Sequence, residues 1–276
     1  MNRTMITATN TLGQLQKKMD IISGNISNIQ TNGYKRKETY FNDLLVQQLN
    51  NQRGDQAPRL TPQGLRQGNG ARISQAMITL SQGAIKNTER PLDVALEKED
   101  LFFRVGEGNN IRLTRDGAFF LTPVSDGSNQ MMLVTGDGHP VLDDADQPII
   151  TDGNIKQVTF AKDGQLRVEL DNGGEQVFDL GIVSVQKPQL LERAGDNLLG
   201  LPANMAQLGI TEQDIMTRLY GARREEISVR QGALEGSNVD LSQEMTDLLT
   251  VQRQYQFHAR AVTLADQMLG LVNGIR

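Results

Sequence analysis

His139 and His258 are the two histidines of the chain, and there is no cysteine to join them. Thiol nucleophiles, thiolate metal sites and disulfides are therefore excluded. His139 precedes Pro140 at a predicted hairpin, and His258 falls on an apolar helical stripe, so both read as packed or turn residues. No Gly-rich phosphate cradle followed by Lys-Ser/Thr occurs, nor an H-E-x-x-H or G-x-S-x-G element. Asp143, Asp144 and Asp146 lack the spacing and distal glutamate of a calcium loop, and a solvated turn is expected there. Lys35-Arg36-Lys37, the densest basic group, reads as a solvated helix exit. Arg53-Gly54-Asp55 spells a cell-adhesion tripeptide inside a polar linker that already explains it, and Asn25-Ile26-Ser27 matches a glycosylation acceptor within a predicted helix. No catalytic, cofactor or metal residue is expected, and the chain does not read as an enzyme. With net charge -5 and interspersed signs, it offers no basic stripe for nucleic acid. No small-molecule substrate is expected either.

The elements that carry these residues are of two kinds. From Met5 apolar residues step by three and four through Ala8, Leu12, Leu15, Met19, Ile22, Ile26 and Ile29. The stepping returns in Leu248, Val251, Tyr255, His258, Val262, Ala265, Leu269 and Val272. A repeat of 3.5 residues keeps one stripe facing a partner helix. The first helix is expected over about residues 3–30, closed by Asn32-Gly33, and the last over about 240–272, with Asp240 as N-cap and Gln243 completing a capping box. Residues 34–48, with Tyr40, Phe41, Leu44 and Leu45, suggest a short second helix, and the Gly- and Pro-rich residues 50–74 an extended arm.

Between the ends the chemistry is that of β structure. Asp116-Gly117, Asp126-Gly127, Asp137-Gly138, Asp152-Gly153, Asp163-Gly164 and Asn172-Gly173 recur at steps of nine to fifteen residues. Alternating runs such as Leu92/Val94/Leu96, Val158/Phe160 and Leu166/Val168/Leu170 lie between them. The expected fold class is α+β: long N- and C-terminal helices forming a coiled-coil layer, plus a central all-β domain. The expected divisions are 1–49 (N-terminal helical half), 50–80 (arm), 81–200 (β-rich outer domain), 201–236 (return connection) and 237–276 (C-terminal helical half). No stretch approaches the ~20 apolar residues of a membrane span. The first residues lack the compact apolar core of a secretory signal, so export, if it occurs, is expected by another route.

The segment Asn25-Ile26-Ser27-Asn28-Ile29-Gln30-Thr31-Asn32-Gly33-Tyr34-Lys35-Arg36 and the segment from Gln231 through Glu235-Gly236-Ser237-Asn238-Val239-Asp240 resemble the signatures of the axial proteins of the bacterial flagellum, the rod and hook subunits. Gln82 to Thr88, Pro91 to Leu96 and Thr114 to Phe119 also fit, so the resemblance runs nearly the whole chain in order. It implies signature positions at Asn25, Asn28, Thr31, Gly33, Tyr34, Lys35, Gly236, Ser237 and Asn238. It implies a polymerisation seam of Met5, Leu12, Leu15, Met19, Ile22, Ile26, Ile29, Leu248, Val251, Tyr255, Val262, Leu269 and Val272. The arm Gly64, Leu65, Gly68, Gly70 and Arg72 is similar to a segment typical of distal-rod subunits. The resemblance further implies export by the flagellar type III apparatus, assembly with copies of the chain and neighbouring rod and hook subunits into a helical tube transmitting torque to the hook, and a place in the basal body. A hook or proximal-rod subunit is the alternative, and a secreted adhesin would need Arg53-Gly54-Asp55 to function. Two departures stand out: Glu99-Asp100-Leu101-Phe102-Phe103 lacks the usual glycines, and Ser23-Gly24 replaces Ala-Asn.

Overall fold

The computed structural model describes residues 2–43, 47–49, 65–67, 71–108, 110–124, 129–195, 197–202 and 205–274. Side chains at 2–4, 41–43, 47–49, 65–67, 71–76, 206, 208, 272 and 273 lie outside that description. The chain divides into two compact units: residues 1–26, 37–77 and 240–276, and residues 27–36 with 78–239.

The first unit holds α1 (Asn2–Ser27), β1 (Lys37–Asp43), β2 (Gln47–Leu49), β3 (Leu65–Gln67), β4 (Ala71–Ile78) and the final helix, numbered α4 (Leu241–Gly274). Thr9 and Thr11 hydroxyls inside α1 donate to the Met5 and Thr7 carbonyls one turn back, which satisfies polar groups that would otherwise compete with the helix. Asp240 caps α4, its Oδ1 accepting from the Ser242 N–H at 2.8 Å and the Gln243 N–H at 3.3 Å. The short helix expected over 34–48 is a correction: strands lie there instead, and β1 pairs with β4, about thirty residues onward. Tyr40 and Phe41 suit a strand, and the pairing partner was beyond any local pattern.

The second unit is β-rich. Its strands are β5 (Ile85–Asn87), β6 (Val94–Leu96), β7 (Leu101–Glu107), β8 (Asn110–Thr114), β9 (Phe119–Pro123), β10 (Gln130–Thr135), β11 (Ile150–Asp152) and β12 (Ile155–Phe160). They continue with β13 (Gln165–Leu170), β14 (Glu175–Asp179), β15 (Ile182–Val185), β16 (Glu192–Arg193), β17 (Leu198–Gly200), β18 (Met216–Arg218), β19 (Val229–Gln231) and β20 (Ala233–Glu235). Two one-turn helices, α2 (Met205–Leu208) and α3 (Glu212–Ile215), lie before β18. A six-stranded antiparallel sheet runs β16-β17-β8-β7-β15-β18, beside three-stranded sheets β11-β10-β9 and β12-β13-β14 and the pairs β19-β6 and β20-β5. Residues 201–236, expected as a connection, thus supply β18, β19 and β20 to this unit.

β7 is buried on both faces because successive side chains point opposite ways. Leu101, Phe103 and Val105 enter one apolar cluster, with Phe119, Leu166 and Val168. Phe102 enters the other, with Val183, Val185 and Ile215. β13 faces core on one side only, so Leu166, Val168 and Leu170 are buried while Arg167 and Glu169 are exposed.

Candidate assembly site

Gly33, Tyr34 and Lys35 follow α1 in the chain, and Glu235 to Asn238 precede α4; within the β-rich unit these two segments are stitched together. The Gly33 N–H donates to the Glu235 C=O at 2.8 Å. The Arg36 N–H donates to Asn238 Oδ1 at 2.7 Å, and Asn238 Nδ2 donates to the carbonyls of Thr79 and Ser81, each at 3.0 Å. Gly33 has φ +69°, and a Cβ there would stand 2.4 Å from the Asp116 nitrogen, so no other residue fits this turn without displacing backbone. Thr31 Oγ1 donates to Asn28 Oδ1 at 3.1 Å, closing the turn that leads out of α1.

Beneath this seam lies a buried ionic group. Lys35 Nζ sits 2.8 Å from Glu235 Oε1, and Arg115 Nη2 sits 2.6 Å from Glu235 Oε2. The three side chains are at most 3 % exposed. Lys35 also donates to the Leu80 and Ser81 carbonyls, and Arg115 Nη1 to those of Lys98 and Leu101. The Gly83 N–H completes the Glu235 shell at 2.9 Å. Burial holds the Lys35 ammonium below its ordinary range, the Arg115 charge adds to this, and Glu235 opposes both. Lys35 is therefore no solvated residue of a helix exit, which corrects the reading of the basic triplet. Arg193 stacks its guanidinium 4.3 Å from the ring centroid of the buried Tyr34.

The acidic group near 143 is likewise corrected from a solvated turn. Asp146 pairs with the buried Arg104 and, at 3.0 Å, with Arg218, while Asp144 takes Arg224 Nη1 at 2.9 Å. Asp143 Oδ1 accepts from the N–H groups of Ala145 and Gln147. These carboxylates anchor a turn against arginines.

In the helical unit, Leu15, Ile22 and Val251 are buried together, with Met19, Ile26, Leu248 and Tyr255 packed against them. Met5, Leu12, Val262 and Leu269 are half-buried, and Ile29 is half-buried in the turn beyond the end of α1. Asn25, a signature residue, is buried at the same seam. Its Nδ2 donates to the Lys37 C=O at 2.9 Å and to Glu244 Oε2 at 3.2 Å, while its Oδ1 accepts from the Lys37 N–H at 3.1 Å. The side chain of Val272 lies outside the described residues, as do Gly64, Gly68, Gly70 and Arg53-Gly54-Asp55; Leu65 and Arg72 fall on β3 and β4, with side chains outside the description.

Sequence reading missed a second row on α4. Phe257, Leu264, Met268 and Leu271 are 76, 59, 51 and 69 % exposed, and Ala261 completes their spacing of four, three, four and three. Each stands one residue before a member of the first stripe (His258, Val262, Ala265, Leu269, Val272), hence roughly 100° around the helix from it. On α1 the exposed described residues after Ile6 are polar or glycine. α4 therefore carries two apolar stripes and α1 one. Glu235, Arg115 and Glu244 were also missed as site residues, although each lies inside or beside a motif that the resemblance had singled out.

Two family models match at the two ends of the chain. "Flagella basal body rod protein" matches residues 5–35, and "Flagellar basal body rod FlgEFG protein C-terminal" matches residues 230–275. Both take in the halves of the stitched junction. The flagellar hook-basal body complex protein FlhP of Bacillus subtilis is 42% identical over 280 residues, covering 100% of both chains. The flagellar basal-body rod protein FlgG of Borreliella burgdorferi is 30% identical over 100% of this chain and 99% of its own. The FlgG of Bacillus subtilis is 29% identical, covering 98% of this chain and 97% of its own.

Proposed function

The chain belongs to the flagellar basal-body rod protein family, and from that premise we propose how it assembles. It is a structural subunit of the basal-body rod, not an enzyme. Its seam would pair α1 with α4 in a coiled-coil layer, and the exposed second stripe of α4 would seat helices of neighbouring copies, building a helical tube that carries torque toward the hook. The observation that carries this reading is that stripe. Four large apolar side chains more than half exposed at coiled-coil spacing are unfavourable in water and mark a surface meant to be covered. The partners are copies of the chain and adjoining rod and hook subunits, and delivery is by the flagellar type III export apparatus.

A distal-rod position is supported by the resemblance of the arm Gly64 to Arg72. A second position is favoured by a comparison within one organism. Bacillus subtilis has both proteins, and this chain is 42% identical to its FlhP against 29% to its FlgG. That difference supports an FlhP-like place in the hook-basal body complex. Electron microscopy of basal bodies from a strain lacking the chain tests the reading. The expected result is a rod truncated at one axial level, which also fixes the position. Complete rods and hooks would overturn it.

A further inference from the structure

The sheet β12-β13-β14 leaves β12 at its edge. An edge strand presents N–H and C=O groups on which a strand from another molecule can build. The Ala161 N–H donates to the Gln165 C=O toward β13, so by alternation Val158 and Phe160 turn their backbone groups outward. β19 meets this row just past the end of β12, where the Val229 N–H donates to the Lys162 C=O at 3.1 Å, and the groups of Val158 and Phe160 meet the side chain that ends β19. Gln231 Nε2 donates to the Val158 C=O at 3.0 Å and to the Pro91 C=O at 2.8 Å, and the Phe160 N–H donates to Gln231 Oε1 at 3.3 Å. One carboxamide thus supplies the donor and the acceptor that an added strand would bring. Gln231 is itself held in place. It ends β19 in register with Val94 of β6, and the next N–H, from Gly232, donates to the Asp93 C=O at 2.8 Å. Alongside, Arg90, Leu92, Lys156, Gln157 and Gln231 line one open groove beside this edge. The exposed Lys156 adds a charge on that edge, a second guard against pairing.

We propose that Gln231 is an edge lock: its carboxamide closes β12 to strand addition by a second copy of the chain. The lock rests on the β-rich unit alone. In a crowded assembly of the kind proposed above, it would let subunits join through helices without fusing their sheets. Removing the amide while keeping the stem leaves the Val158 C=O and the Phe160 N–H without the partner that Gln231 supplies, and a strand from a second copy can satisfy both.

The test uses the full chain in dilute solution, comparing the parent with Gln231→Met and with Gln231→Asn, whose amide is one methylene too short to reach. Sedimentation gives the oligomeric state, and amide hydrogen exchange gives the contact. The expected result is a shift from monomer to dimer with rising concentration, accompanied by slowed exchange across residues 155–160. Should the methionine variant fail to fold, the asparagine variant is read by the same criteria. A folded variant that stays monomeric, or that dimerises with no slowing at 155–160, overturns the lock and leaves Gln231 a staple between two sheets. Association through helices would instead slow exchange in α4, so failure of the lock and failure of the assembly reading are distinguishable.

Discussion

Glu235 neutralises two buried cations, and its loss should be felt more than the loss of either. A buried ion pair broken from one side leaves charge uncompensated, at a cost of about 3–5 kcal/mol. Glu235→Gln is therefore expected to lower the thermal midpoint of the β-rich unit sharply, as read by calorimetry, while Arg167→Gln on an exposed face should leave it nearly unchanged. Asp116 gives a pH signature. Burial pushes its carboxyl above the ordinary aspartate range, with nearby Asp137 and Asp93 adding to this and the Ala118 N–H opposing. The folded chain thus holds a proton that the unfolded chain has released, and stability falls as pH rises through that window. Asp116→Asn keeps an acceptor for Ala118. It should be the more stable form at neutral pH and lose its advantage in acid below the aspartate range, measured by urea unfolding at the two pH values. Some of this was legible in sequence: the glycines of Asp137-Gly138, Asp152-Gly153, Asp163-Gly164 and Asn172-Gly173 have the positive φ that hairpins require. Gly117 is different. A Cβ there would meet the Val94 carbonyl oxygen, so its glycine answers a close approach and not a turn. Lys35 was misread because its partner stands 200 residues away, and no local pattern reports that.

At the scale of elements, the long helices were readable because their 3.5-residue stripes and the Asp240 cap are local signals. Residues 34–48 were not, because a strand is defined by a partner, and β4 lies far along the chain. β7 escaped alternation for another reason: both of its faces are buried, so Leu101, Phe102 and Phe103 follow one another without a polar residue between, and Arg104 is buried beside them against Asp146. The two stripes of α4 make separable predictions. Leu15→Asp strikes the buried contact with Val251 and should loosen the helical unit as well as block assembly. Leu264→Asp alters an exposed side chain, so the stability of the free chain should change by no more than about 0.5 kcal/mol. It should nevertheless block polymerisation followed by light scattering. Leu269→Asp, on the first stripe, should also abolish assembly, and in all three variants the thermal transition of the β-rich unit should survive. Loss of that transition in any of them would contradict independent folding of the two units.

At the scale of the molecule, the two units bury themselves to different degrees. Among the described residues, the β-rich unit closes two apolar clusters of its own, whereas the helical unit buries three large apolar side chains together and leaves five on α4 more than half exposed, Leu249 and the four of the second stripe. Helices with so little covered surface are marginal alone and gain order when a neighbour covers them. Limited proteolysis of the free chain should leave a resistant core within residues 78–239. The most direct measurement is amide hydrogen exchange across residues 257–271 of α4, taken on the dilute chain and again on isolated rods. Fast exchange in the dilute chain that becomes slow in the rod is the predicted result. Strong protection already present in the monomer, or exchange unchanged by assembly, would contradict the role given to the second stripe.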